Sequence, residues 1–281
     1  MTMIMKGSEV AAAMKEKMIG EVNELKQKGI VPGLAIVRVG ARPDDLAYER
    51  NAVKKMESIG IYCKVFEYAE DIVQQEFEEK FSQINGNAEI HGILLFRPLP
   101  KHLNEESIKN IIDPRKDMDC LSPINIAKVF SGDDSGYAPC TPEAVMEVLD
   151  YYGIQVQGKR VTVVGRSMVV GKPLSMLLLK KNATVTICHT KTKNLEEMCK
   201  NAEILIAAAG KAKMITADYI GENSVVVDVG INVDGSGKLC GDVDFESVSP
   251  TAGYITPVPG GVGTVTSSVL ARHVISAARY N

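Results

Sequence analysis

The segment VTVVGRSMVVGKPL, residues 161–174, runs from an apolar stretch into a turn bounded by Gly165 and Gly171. A strand that ends at the first glycine and a helix that starts near the second leave several backbone N–H groups at a helix N-terminus. Such a turn binds anions, through its amides and through the helix dipole. Gly165 permits the tight turn and Gly171 permits close helix–sheet packing. Ser167 stands where the usual dinucleotide fingerprint has its second glycine, and its hydroxyl can donate to a phosphate oxygen. A plain βα turn with no ligand uses the same residues, so this motif alone does not decide between the two.

The choice of nucleotide falls to the end of the next strand. An NAD site usually carries Asp or Glu about 20 residues after the fingerprint, where it binds the ribose hydroxyls. Here the chain reads CHTKTK, 188–193, without an acid, and Arg166 lies in the phosphate turn. Cations and hydroxyls suit an added 2′-phosphate, which a carboxylate would repel. The pattern favours NADP over NAD, with at least one of Lys191 and Lys193 as solvated surface.

Other chemistry has less support. The cysteines Cys63, Cys120, Cys140, Cys188, Cys199 and Cys240 form no C-x-x-C pair and no zinc spacing, so buried reduced thiols and no metal site are expected. The histidines His91, His102, His189 and His273 are scattered, and none falls in a recognisable triad pattern.

The elements that must position these residues alternate. A helix is predicted over 8–28, with Ser8 as cap and Val10, Met14, Met18, Val22 and Leu25 on one face. Strands follow at 34–39, 61–66 and 92–96, with helices at 45–58, 74–84 and 104–112, which is the mark of a parallel sheet. From 113 to 142 the pattern breaks. It resumes with a helix near 142–152, strands at 160–164, 183–188, 203–208 and 224–229, helices at 171–181 and 194–201, and a final helix. The fold class is α/β: two domains with a cleft between them, where the segments near 120–140 and 255–263 converge.

Composition fits a globular chain of 281 residues with net charge −3, which gives no global pull toward nucleic acid. No stretch is apolar enough to span a bilayer, and the start, MTMIMKGSEV, lacks a secretory pattern. A cytoplasmic protein with no membrane and no nucleic-acid partner is expected.

Taken together, GRSMVVGKP, TVTICHTKTK, VVVDVGIN, GDVDF and TPVPGGVGTVT resemble the bifunctional methylenetetrahydrofolate dehydrogenase/methenyltetrahydrofolate cyclohydrolase family. PGLAIVRVG, PLPKHLNEE, DPRKDMD and PCTP in the N-terminal half are similar to that family's segments in order and spacing. The resemblance implies a homodimeric enzyme acting on one-carbon derivatives of tetrahydrofolate. Residues 1–139 plus 263–281 would form the folate-binding, catalytic domain, and 140–262 a Rossmann-like NADP domain. Hydride passes from the one-carbon bridge to the nicotinamide, and water then opens the methenyl product to 10-formyltetrahydrofolate.

Position by position, the resemblance places Gly165, Arg166 and Ser167 in the phosphate turn and Thr190 near the 2′-phosphate. It places Thr141 and Ile231 beside the nicotinamide end, Tyr48 stacked on the folate, and Asp119 on the pterin. A carboxylate suits the paired N–H donors of a pterin edge. Pro259, Gly260, Gly261 and Thr266, in and just after the PVPGG loop, match further substrate contacts.

The departures cluster on the folate side. The family carries a catalytic lysine four residues after the tyrosine, where this chain has Ala52. Its glutamine partner is replaced by Phe96 and a nearby serine by Asp45, while Cys120 and Ala144 replace common glycines. Lys54 would point about 200° away from the Ala52 direction, whereas Lys55 shares a helix face with Tyr48. Helical side chains lean toward the N-terminus, so its ammonium could reach back. Tyr48, Asp119 and Lys55 are the predicted catalytic residues, and a surface lysine is the competing account of Lys55. Hydride transfer needs alignment rather than a lysine, whereas hydrolysis gains about 10²–10⁴-fold from a placed acid/base group. A dehydrogenase with weak or absent cyclohydrolase activity is therefore expected; a fully bifunctional enzyme and a non-catalytic nucleotide-binding protein are the alternatives.

Overall fold

The computed structural model describes residues 1–280, which divide into two compact units. One comprises Met1–Ala12 with Pro139–Thr266, the other Ala13–Ala138 with the chain from Ser267 onward. Two of the three boundaries fall inside the first and last helices, α1 (Gly7–Gln27) and α10 (Gly263–Tyr280), and the third lies between Ala138 and Pro139.

The unit of residues 13–138 is built on three parallel strands, β2 (Gly33–Val39), β3 (Tyr62–Tyr68) and β4 (Gly92–Leu95), in the order β3-β2-β4. The central strand is buried along its whole length, as its apolar run requires. Between the strands lie α2 (Pro43–Ile59) and α3 (Gln74–Gly86), followed by α4 (Glu105–Ile111) and α5 (Pro123–Ser131). Phe77, Phe81, Ile93 and Ile108 lie at the centre of this core. Helix α2 starts with Pro43 and two acids in its first turn, buries Ala52, Met56 and Ile59, and stops at Gly60, whose φ is 90°. The ion pair Arg38–Glu49, 2.8 Å, pins it to β2 one residue after Tyr48.

The other unit carries six parallel strands in the order β1-β11-β8-β7-β5-β6. They are β1 (Met3–Ile4), β5 (Arg160–Val164), β6 (Thr184–Cys188), β7 (Ile204–Ala207), β8 (Val225–Asp228) and β11 (Tyr254–Ile255). Helices α6 (Cys140–Tyr151), α7 (Gly171–Lys180) and α8 (Leu195–Lys200) alternate with them, and β9 (Asn232–Val233), β10 (Leu239–Cys240) and α9 (Phe245–Val248) lie in the last connections. Val164, Leu205, Val226 and Ile255 share one core.

Two expectations change. The first residues, placed by sequence with the 1–139 unit, form β1 in the six-stranded sheet, because Met3 and Ile4 pair with Tyr254 and Ile255. The unpatterned stretch 113–142 contains α5, started by Ser122, whose side chain accepts from the Ile124 amide.

Candidate functional site

In the six-stranded unit the chain leaves β5 through Gly165, with φ at 141°, and enters α7 at Gly171. A Cβ on Gly165 would lie 2.1 Å from the Ala208 carbonyl oxygen, and one on Gly171 would lie 2.1 Å from that of Gly165. Both positions therefore demand glycine. The Ser167 hydroxyl accepts from the Val170 amide at 3.1 Å, so it caps the turn and keeps its own hydrogen for a ligand. Arg166 and Ser167 are exposed. The Gly165 amide donates to Cys188 at 2.9 Å, which ties this turn to the end of β6.

Beyond Cys188 the chain closes a compact loop. The His189 amide donates to the Thr192 hydroxyl at 2.8 Å, and the Lys191 amide to His189 Nδ1 at 3.1 Å. Thr190, Lys191 and Lys193 are left exposed, with no carboxylate from 188 to 193. Thr141 lies half-buried in the first turn of α6, and Ile231 is 68% exposed. Pro259 and Gly260 are exposed, Gly261 is buried and Thr266 half-buried, and all four belong to this unit by the division above.

In the other unit Tyr48 lies early in α2, after β2, and meets Phe96, which directly follows β4, at the carboxyl edge of the sheet, where open parallel sheets take their ligands. Tyr48 is 37% exposed on α2, and its ring meets that of buried Phe96 with centroids 5.6 Å apart. Ala52, one turn on, has no exposed surface. Arg42 donates two hydrogen bonds to the Asp45 carboxylate, at 2.7 and 3.0 Å, and one to the Arg97 carbonyl at 3.0 Å.

Asp119, half-buried, follows a bridge between Ile93 and Asp117. The buried Asp117 carboxylate accepts from Leu121 and Ser122 amides and from Asn125 Nδ2, at 2.8, 2.8 and 2.9 Å. Burial raises its pKa, with these bonds opposing and the Asp119 charge adding to the rise. His273 Nδ1 meets the Met118 carbonyl at 2.9 Å, so both sides of Asp119 are fixed. Cys120 adopts φ 58°, the left-handed region that favours glycine.

Lys55 is half-buried, and its pKa is lowered first by burial and then by the charge of Lys15 on α1. None of the six cysteines is joined in a disulfide; Cys63 is half-buried and the other five are buried. Burial pushes Cys63 and Cys199 up to about 12. Among the described residues no group of three His, Cys, Asp or Glu side chains is placed to hold a metal, and no helix is long and apolar enough to cross a membrane.

Two carboxylates with no role in the sequence reading are buried in the six-stranded unit. Asp228, at the end of β8, accepts from the amides of Gly230, Asp242 and Val243 at 2.9, 3.0 and 2.9 Å, and burial pushes it up to about 6. Asp242 lies beside it, with no exposed surface. The one sequence signal for Asp228 is an acid closing the apolar run VVVD.

Comparison with known proteins places both halves. Residues 139–281 match the model of the tetrahydrofolate dehydrogenase/cyclohydrolase NAD(P)-binding domain, and residues 5–119 that of the catalytic domain. A bifunctional protein FolD from Alkaliphilus oremlandii is 56% identical over 279 residues, 99% of this chain and 98% of its own. The crystal structure of the bifunctional FolD methylenetetrahydrofolate dehydrogenase/cyclohydrolase from Campylobacter jejuni matches with TM-score 0.97 and 39% identity, over 100% of this chain and 99% of that one. The Trypanosoma brucei dehydrogenase–cyclohydrolase, solved with NADP and an inhibitor, matches with TM-score 0.93 and 33% identity over 99% and 98%.

Proposed function

The chain belongs to the tetrahydrofolate dehydrogenase/cyclohydrolase family, and from that premise we propose that it is an NADP-dependent 5,10-methylenetetrahydrofolate dehydrogenase whose hydrolysis of the methenyl product is weak or absent. The observation that carries this reading is the pair Ala52 and Phe96. A fully buried methyl and a phenyl ring against Tyr48 stand where the family's lysine and glutamine would be.

The cofactor unit fits NADP. Gly165 and Gly171 let the turn close where a Cβ would strike the Ala208 and Gly165 carbonyls, and an exposed Arg166 and Thr190 accompany a loop without acids. Gly165, Arg166 and Ser167 would hold the phosphates through the start of α7, and Arg166 and Thr190 the 2′-phosphate. Thr141 and Ile231 would border the nicotinamide. NADP⁺, when bound, accepts the hydride. On the folate side Asp119 would take the pterin edge by two hydrogen bonds, Tyr48 would stack on the substrate, and Pro259, Gly260, Gly261 and Thr266 would complete the contacts. These residues align the one-carbon unit; none removes a proton from water. The working form is a homodimer in the cytoplasm, as the family resemblance implies.

An assay that follows reduced nicotinamide and the methenyl product together tests the reading. Methenyltetrahydrofolate accumulates at neutral pH if hydrolysis is weak. Stoichiometric 10-formyl product without accumulation supports the second reading, a fully bifunctional enzyme. That reading is favoured by the name of the Alkaliphilus oremlandii relative and by Lys55, whose lowered pKa suits acid/base work. In that case Lys55→Ala abolishes hydrolysis and spares hydride transfer.

A further inference from the structure

After β7 the chain turns through residues 208–211, and three successive amides of this turn face one carboxylate. Asp242 Oδ2 accepts from Ala209 at 2.6 Å and from Gly210 at 2.9 Å. Its Oδ1 accepts from Lys211 at 2.8 Å and from the Asn232 side-chain amide at 2.8 Å. Consecutive amides that converge in this way make an anion nest, a device that elsewhere holds phosphate. Here the protein's own carboxylate, fully buried, fills it.

Each partner of Asp242 belongs to a loop that borders the proposed cofactor site. The 208–211 turn backs the phosphate turn, since the Ala208 carbonyl closes the space over Gly165. Asn232 directly follows exposed Ile231. Gly230 is so near that a Cβ there would lie 2.4 Å from Asp242 Oδ1. Asp228 holds Asp242 from behind by its backbone amide at 3.0 Å. The loops set by Asp242 leave β7 and β8, whereas Arg166, Ser167 and Thr190 follow β5 and β6, on the other side of the sheet order.

We propose that Asp242 is a positioning residue for the nicotinamide half of the cofactor, an internal anion that sets the 208–211 and 229–232 loops. The inference rests on the reading that this unit binds NADP. It separates from a general structural role by its sidedness: the adenosine half, held beyond β5 and β6, is spared.

The test is calorimetric titration of wild type, Asp242→Ala and Asn232→Ala with NADP⁺ and with adenosine 2′,5′-bisphosphate, which lacks the nicotinamide half. Wild type binds both. Asp242→Ala takes the shared acceptor from three amides of the 208–211 turn and loses about tenfold or more in NADP⁺ affinity, with less than about twofold lost for the bisphosphate. Asn232→Ala removes one of the four donors and loses a smaller factor, again for NADP⁺ alone. Should Asp242→Ala not fold, Asn232→Ala carries the same contrast. Equal loss for both ligands, or unchanged NADP⁺ affinity in Asn232→Ala and in every folded Asp242 variant, overturns the assignment. A wild type that binds neither ligand overturns the NADP reading and the inference with it.

Discussion

The two units present their proposed ligand sites through different parts of the chain. The turn between β5 and α7 is main chain: two glycines that admit no Cβ, exposed residues at 166–169, and a hydroxyl that accepts from the Val170 amide. The folate side is side chain: the Tyr48 and Phe96 rings on α2 and after β4, and Asp119 on a loop pinned by Asp117 and His273. A main-chain site tolerates replacement. Ser167 stands where a glycine is usual, and the turn keeps its form. A side-chain site has no such reserve: on the proposed reading, two changes, Ala52 and Phe96, take away a lysine and its amide partner while the fold around them persists.

The largest effect expected from this contrast is a gain. Ala52→Lys alone places an ammonium in a fully buried position beside an aromatic ring, which destabilises the fold and adds little hydrolysis. Combined with Phe96→Gln, it raises cyclohydrolase activity by about 10²-fold or more, beyond the sum of the single changes. Methenyl hydrolysis by the three variants decides this, and strict additivity would break the contrast.

The next effect concerns the carboxylates behind the main-chain site. Burial lifts Asp228 from 3.8 to about 6. Between those values the folded protein holds a proton that the unfolded chain releases. Stability is therefore greatest below the lower value, falls as pH rises through the window, and is level above about 6. The fall attributable to this group is about 3 kcal/mol at most. Denaturant unfolding of wild type and Asp228→Asn across this window gives the difference; parallel curves would show that Asp228 does not carry it.

Asp119→Ala tests the side-chain site directly. Loss of a charge-assisted pair is worth about 1.5–3 kcal/mol, so the folate requirement rises roughly tenfold to a hundredfold. NADP binding, measured by titration, stays nearly unchanged. Wild-type folate affinity in this variant would remove Asp119 from the site.

The smallest effect sharpens the cofactor side. Arg166→Ala weakens NADP by about tenfold and NAD far less, because the guanidinium serves the 2′-phosphate rather than the turn. Equal weakening of both, or a wild type that prefers NAD, contradicts the assignment.

The alternation of strands and helices was legible because each carries its own apolar period. Helix α5 was not, although Ser122 and Pro123 announce its start. Only Asn125 of it is buried, and Ile124 and Phe130 are exposed, so its apolar residues mark no face packed on a core. Strands β1 and β11 have two residues each, too few for any period. The turn between β5 and α7 was legible because its glycines are spaced by geometry. Asp242 was not, since its donors are largely main-chain amides of a distant loop, which no residue type marks. Helical spacing placed Lys55 on the Tyr48 face, but its charged neighbour Lys15 comes from another helix, which spacing within α2 cannot supply.

The pairing of Met3 and Ile4 with Tyr254 and Ile255 also orders events during synthesis. Strands β2, β3 and β4 have all emerged once residue 95 is made, so their sheet can assemble early from near neighbours in the chain. Strand β1 is made before any of them, yet its sheet partner, β11, is the last strand in chain order. At about 5–20 residues per second that delay is on the order of tens of seconds, longer than most single domains need to fold. The earliest strand of this sheet to be made thus waits longest for its place, and the six-stranded sheet stays open at that edge until β11 has been made.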